Sequence, residues 1–182
     1  METNEIELIE INEKYIDEVW DFKKELLEKD SNNEDLFAGC GDLSKSKTKE
    51  EYLYKCKLRK DVEYCNKNNM VPSSIYLAIR KRDNRLVGII DLRYHINHPI
   101  LKTWGGHIGY SVRPSERCNG YGKEMLRLDI LKAKEHNIDK LLVTCSEKNS
   151  ASEKVILANN GVYESSIKVD DDIIKRYWIE VI

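Results

Sequence analysis

The chain has 182 residues, 41% apolar and 34% charged, with 30 basic and 32 acidic side chains and a formal net charge of -2. That is enough for one globular domain with a real core, and the composition excludes a disordered chain. The balanced charge argues against a nucleic-acid or membrane-surface partner, no apolar run reaches bilayer length, and the acidic start Met1–Glu5 is no secretory leader.

Ile6–Ile11 alternates as a first strand. Asn12 is a cap candidate, and Ile16, Val19, Trp20, Leu26 and Leu27 recur at helical spacing over residues 13–29. Residues 30–47 hold Gly39, Gly41 and few apolar side chains and read as a long loop, with Leu36 and Phe37 as a local anchor. Thr48 with Glu51 forms a capping box for a helix over 49–68, whose inner face carries Tyr52, Leu53, Cys56, Val62 and Cys65. Residues 75–80 and 86–94 make two antiparallel strands about the turn Asp83–Asn84, and His95–Pro99 breaks the pattern.

Residues 105–112 read as the next strand, stopped by Pro114, because proline cannot continue a ladder. A helix over 121–136 places Leu126, Ile130 and Ala133 on one stripe. Residues 141–145 form a short apolar strand, 149–159 a short helix ended by Asn160–Gly161, and 162–167 and 173–180 the closing strands. The element order β-α-α-β-β-β-α-β-α-β-β implies a mixed sheet in one domain, 1–182. Strands 105–112 and 140–145 run parallel across the helix between them. Cys40, Cys56, Cys65, Cys118 and Cys145 are scattered, with no Cys-x-x-Cys pair, and read as free thiols of a cytoplasmic protein. His95 and His98 lack a third ligand, so no metal is expected.

The stretch Arg117-Cys118-Asn119-Gly120-Tyr121-Gly122 joins a strand to a helix. Amides of a helix's first turn have no intrahelical partner, the helix dipole adds partial positive charge, and glycines let an anion approach. The stretch is therefore a pyrophosphate cradle on physical grounds alone. Its residues also fit the Arg/Gln-x-x-Gly-x-Gly/Ala motif of the GNAT superfamily of N-acetyltransferases, with Val112-Arg113-Pro114 just upstream. Asn149-Ser150-Ala151-Ser152 and Asn160-Gly161-Val162 resemble that family's later signature. Three motifs in order on the expected elements carry the resemblance over residues 75–182. The dinucleotide fingerprint of an oxidoreductase is absent.

The resemblance implies a GNAT-like α+β fold of three layers. Its mostly antiparallel sheet of about seven strands opens as a V at one parallel βαβ unit, with helices on both faces. It implies acetyl-CoA as co-substrate and acyl transfer to a primary amine of a small molecule or peptide, in a monomer or homodimer. Amides of Tyr110, Ser111 and Val112 would pair with the pantetheine arm, and Asn149 and Ser152 would contact it. Arg117, Cys118, Asn119, Gly120, Tyr121, Gly122 and Lys123 would hold the pyrophosphate. Cys118 replaces the first glycine of the family's commoner form.

A base for the ammonium and an acid for the thiolate are needed. His107 stands near the family's usual Glu and has a suitable unperturbed pKa. Tyr110 and Asp91 are second candidates, and water is a third. The family's frequent acid, a Tyr seven residues after Asn149, is here Ile156, leaving Tyr163, Tyr121 or water. A CoA-binding sensor without transfer activity is the alternative reading, and Ile156 is its support.

Overall fold

The computed structural model describes residues 5–33 and 35–182. Residues 1–4, most of the polar start discussed above, and residue 34 of the long loop lie outside the described residues. The chain forms β1 (Ile6–Glu10), α1 (Ile16–Lys29), α2 (Lys49–Leu58), α3 (Val62–Lys67), β2 (Ser73–Arg80), β3 (Arg85–Arg93), β4 (Ile108–Val112), α4 (Tyr121–Glu135), β5 (Lys140–Ser146), α5 (Ser150–Leu157), β6 (Val162–Val169) and β7 (Asp172–Glu180). All seven expected strands are present, and the architecture is mixed α+β with helices on both sides.

The seven strands make two antiparallel sheets, ordered β1-β2-β3-β4 and β5-β7-β6. No ladder joins β4 to β5, so the sheet opens between these two strands, as the family resemblance implied. β2 and β3 are buried along nearly their whole length, including the polar Ser73, Ser74 and Asp91. One core lies between the four-stranded sheet and α4, α5 and the second sheet, with Ile90, Leu92, Met125, Leu126, Leu141 and Ile156. The other lies under α1 and α2, with Val19, Phe22, Leu26, Tyr52, Leu77 and Ile89.

Local signals held in most places. Thr48 accepts from Glu51 N–H at 3.2 Å, and the Glu51 carboxylate accepts from Lys47 N–H at 2.7 Å. The helix expected over 49–68 is broken in two. Asp61 accepts from Tyr64 N–H at 2.9 Å and so caps a new helix start. The strand expected from residue 105 begins at Ile108, because Leu101–Gly105 coils into a π-helical turn. That turn is clamped by Arg93, which donates to Gly105 O and Gly106 O, by the Thr144 hydroxyl, which donates to Trp104 O, and by Arg176, which donates to Lys102 O and Thr103 O. The loop after α1 crosses β4 at a glycine–glycine contact. A Cβ on Gly39, which has φ +74°, would lie 2.0 Å from Gly109 O, so only glycine fits there. Leu36 and Phe37 pack against the second core as the expected anchor. The five cysteines are free, and only Cys118 is exposed. Among the described residues no helix is long and apolar enough to cross a membrane.

Candidate functional site

The loop between β4 and α4 is held from below by buried charge. Arg113, 3% exposed, donates to Leu86 O and pairs with Glu18 and Glu25. Glu25 also accepts from Ser115 N–H at 2.7 Å. Glu116 pairs with Arg80 and Arg85. The sequence gives no local sign of this scaffold, since each acid lies far along the chain from its arginine.

Above the scaffold, Gly120 has φ +81°, caps α4 without a side-chain bond, and has nothing within 4 Å of where its Cβ would be. The amides of Tyr121, Gly122 and Lys123 have no intrahelical acceptor. A Cβ on Gly122 would sit 3.3 Å from Val155, 3.6 Å from Val112 and 3.9 Å from Tyr110, so α4, α5 and the end of β4 converge at this residue. Asn159 fastens the convergence by donating to Lys123 O and Val155 O. The room above Gly120 and the uncapped amides fit a pyrophosphate.

Each predicted cradle side chain has a distinct place. Lys123 is exposed at the mouth. Arg117 pairs with Asp30 at 2.6 Å and donates to Val112 O, so it braces the loop rather than reaching over the cradle. The ion pair also holds the Asp30 carboxyl below its usual range. Asn119 donates to Glu116 O and Arg117 O. The Tyr121 hydroxyl is turned away from the cradle: it accepts from Arg80 and donates to Glu5.

Cys118 adopts φ +64°, the left-handed conformation in which the commoner family motif has glycine. Such a backbone costs a non-glycine residue about 1–2 kcal/mol, against about 0.5–1 kcal/mol of extra chain entropy for glycine. Cys118→Gly is therefore expected to stabilise the protein by about 0.5 kcal/mol, read as a higher urea midpoint. An unchanged or lower midpoint contradicts the strain.

Between β4 and β5 the backbone of β4 faces no strand. Tyr110 crosses this slot, its hydroxyl 2.8 Å from the Ser152 hydroxyl, while Ser152 N–H donates to the Asn149 side chain. Burial pushes the Tyr110 phenol up to about 12, so it keeps its proton at neutral pH and acts as a hydrogen-bonding group, not a base. Cys145 lies near it on β5, its thiol pushed up to about 11 by burial. Ser111 faces the other side and donates to Ala38 O at 2.7 Å, tying the crossing loop to β4. Asp91, 2% exposed, accepts from Gly109 N–H and lies 3.3 Å from Arg93.

His107 is 5% exposed, and its Nδ1 accepts from Leu142 N–H at 2.9 Å. Burial, with Arg93 and His95 nearby, pushes the imidazole down to about 4. With Nδ1 engaged the ring proton sits on Nε2, so a base role requires giving up the Leu142 bond. Ile156 is fully buried in the core, and Tyr163 is exposed with its hydroxyl on Ser166. His98 contacts Asn69, His95 accepts from Asn97 N–H, and no cluster among the described residues has the make-up of a metal site. A cleft of about 480 Å³ opens elsewhere, over Ile11, Leu53, Cys56 and Ile75, and holds none of the predicted residues.

The profile of the acetyltransferase (GNAT) domain matches residues 26–161, so the chain belongs to this family. A search of curated protein sequences found no significant match. Solved structures resemble the fold at low identity. The ribosomal L7/L12 alpha-N-protein acetyltransferase RimL, in complex with coenzyme A, is 17% identical with a TM-score of 0.67, covering 99% of this chain and 96% of that one. The microcin C7 self-immunity acetyltransferase MccE, in complex with acetyl-CoA and AMP, is 13% identical with a TM-score of 0.66, covering 98% and 93%. A chimera of the Vibrio cholerae spermidine N-acetyltransferase SpeG with hSSAT is 12% identical with a TM-score of 0.62, covering 98% and 96%.

Proposed function

We propose that this GNAT-family protein transfers an acetyl group from acetyl-CoA to a primary amine by direct attack of the amine on the thioester. The observation that carries the reading is Gly120: a left-handed glycine with open space above it, at an uncapped helix start that meets β4 and α5 at Gly122. Amides of residues 118–123, with Lys123, would hold the pyrophosphate. The unpaired edge of β4 at Tyr110, Ser111 and Val112 would grip the pantetheine arm, beside Asn149 and Ser152. An amide of this edge, aimed at the thioester oxygen, would stabilise the charge that develops there. The Tyr110 hydroxyl, proton retained, would hydrogen-bond near the sulfur. With His107 engaged and Tyr110 a phenol, water takes the proton of the ammonium. The RimL and SpeG resemblances suggest a peptide N-terminus or a polyamine as the acceptor. A cytoplasmic monomer or homodimer completes the reading.

Ile156 favours a second reading, a CoA-binding sensor, because a buried isoleucine replaces a phenol that would protonate the thiolate. Thiol release from acetyl-CoA, measured with a panel of peptides and polyamines, separates the two. Release that depends on the added amine is expected. Binding of CoA without turnover on any amine supports the sensor, and no binding of CoA sinks both.

A further inference from the structure

We infer that His107 is a positioning residue, a pin that closes one end of the slot between β4 and β5 and so sets the separation of the two strands where the pantetheine arm enters. This rests on the acetyl-CoA reading above.

Three bonds meet at this residue. Its carbonyl accepts from Arg93 N–H at 2.8 Å, which continues the β3–β4 ladder. Its N–H donates to Leu142 O at 2.8 Å, and its Nδ1 accepts from Leu142 N–H at 2.9 Å. A parallel ladder sends the N–H and C=O of one residue to two different partners. Here the imidazole replaces a carbonyl, so His107 takes both polar groups of Leu142 and no further rung follows. β4 and β5 share no ladder beyond it. Tyr110 on β4 and Cys145 on β5 stand three residues past the pin on each strand. The slot therefore runs from the pin towards the cradle.

The surroundings favour a neutral, fixed ring. Gly106, at φ +63°, brings the backbone in where a Cβ would be 2.5 Å from Leu142 O. Trp178 of β7 meets the ring edge-on, with centroids 6.5 Å apart. Burial is the largest influence against a second proton, and Arg93 on β3 and His95 just beyond that strand, the charged or titratable groups facing the ring, add to it, outweighing the Leu142 backbone, which favours one. Protonating Nδ1 would place an N–H against the N–H of Leu142 and release β5.

A pin and a base predict different results. Asn carries its Oδ1 where His carries Nδ1, so His107→Asn keeps the acceptor and removes the titrating ring, while His107→Ala removes both. For the pin, His107→Ala weakens binding of CoA itself, read by calorimetry, by about tenfold, the size of one lost hydrogen bond. His107→Asn restores binding to within about threefold of wild type, with an unchanged pH profile of kcat/KM. The Leu142 amide exchanges slowly in wild type and His107→Asn and quickly in His107→Ala. Nitrogen NMR of the wild-type ring shows the Nε2–H tautomer without titration between about pH 5 and 8. A ring that titrates near neutrality, an Asn variant whose kcat/KM loses its acidic limb, or an Ala variant that binds CoA like wild type each overturns the pin. A wild-type protein that binds no CoA fails the acetyl-CoA reading itself, and the tautomer and Leu142 exchange still report on the pin.

Discussion

Gly120→Glu is expected to weaken acetyl-CoA binding about 100-fold while the protein stays folded. Nothing lies within 4 Å of the Cβ position, so the new Cβ meets no clash. The only folding cost is the left-handed backbone at φ +81°, about 1–2 kcal/mol. The new carboxylate stands at the mouth of α4's uncapped amides, where it would satisfy the donors proposed to hold phosphate and repel it. Two unit charges about 4 Å apart near a protein surface repel by about 4 kcal/mol, and about 2.7 kcal/mol already gives a 100-fold loss. Gly120→Ala separates the parts: it pays the backbone cost without the charge and should lose only a few-fold in affinity. Calorimetry with CoA, alongside urea unfolding, reads both. Normal binding by a folded Gly120→Glu variant would place the phosphates elsewhere.

Asp129→Leu should stabilise the protein by about 1–3 kcal/mol at neutral pH, the cost of an unsatisfied buried polar group. Asp129 lies on the inner face of α4 with no exposed surface, and neither carboxylate oxygen has a hydrogen-bond partner. Burial, reinforced by repulsion from Asp91, holds its carboxyl well above the usual range, with Lys132 as a weak counterweight. Leucine has nearly the same shape, with methyls in place of the oxygens. The pH dependence has a definite sign. The unfolded carboxyl releases its proton near pH 4 and the folded one keeps it, so the folded state binds more protons above that value. Stability therefore falls as pH rises above about 4 until the folded group itself titrates. Asp129→Asn should flatten that fall even where it gains less than leucine. His107 acts in the opposite sense. Its folded pKa of about 4 lies below the unfolded value, so its contribution is lost as pH falls from about 6.5 towards 4. Urea midpoints from pH 4 to 9 for wild type and Asp129→Asn read both slopes. A wild-type midpoint that rises through the alkaline half would contradict the account of Asp129.

Much of the cofactor half was legible in the chain. The cradle at 117–122 is a local object: glycines permit its backbone and α4 begins directly after it. Cys118 showed as a departure from the motif, and its φ of +64° gives that departure a physical meaning. The side chains were harder. Arg117 looked like a phosphate ligand, yet it pairs with Asp30, 87 residues away. Asp129 drew no attention as one acid among many charged residues, and only the packing of α4 on the sheet puts it inside. His107 looked like a base from its type and place. Its bond to Leu142, 35 residues on, makes it a link between sheets.

The sequence by itself determined the seven strands, the main helices apart from the break after Leu58, the glycine-bearing turn that opens α4, and the family. Periodicity, glycine, proline and capping residues act over a few positions and leave their mark in order along the chain. Only the tertiary structure decided that His107 closes one end of the opening between β4 and β5, that the loop at Gly39 crosses β4, and that Ile156 fills core rather than facing the slot. Each of these depends on which distant segments share a face and on whether burial leaves a polar group its partner, and no short window of sequence contains both sides of such a contact.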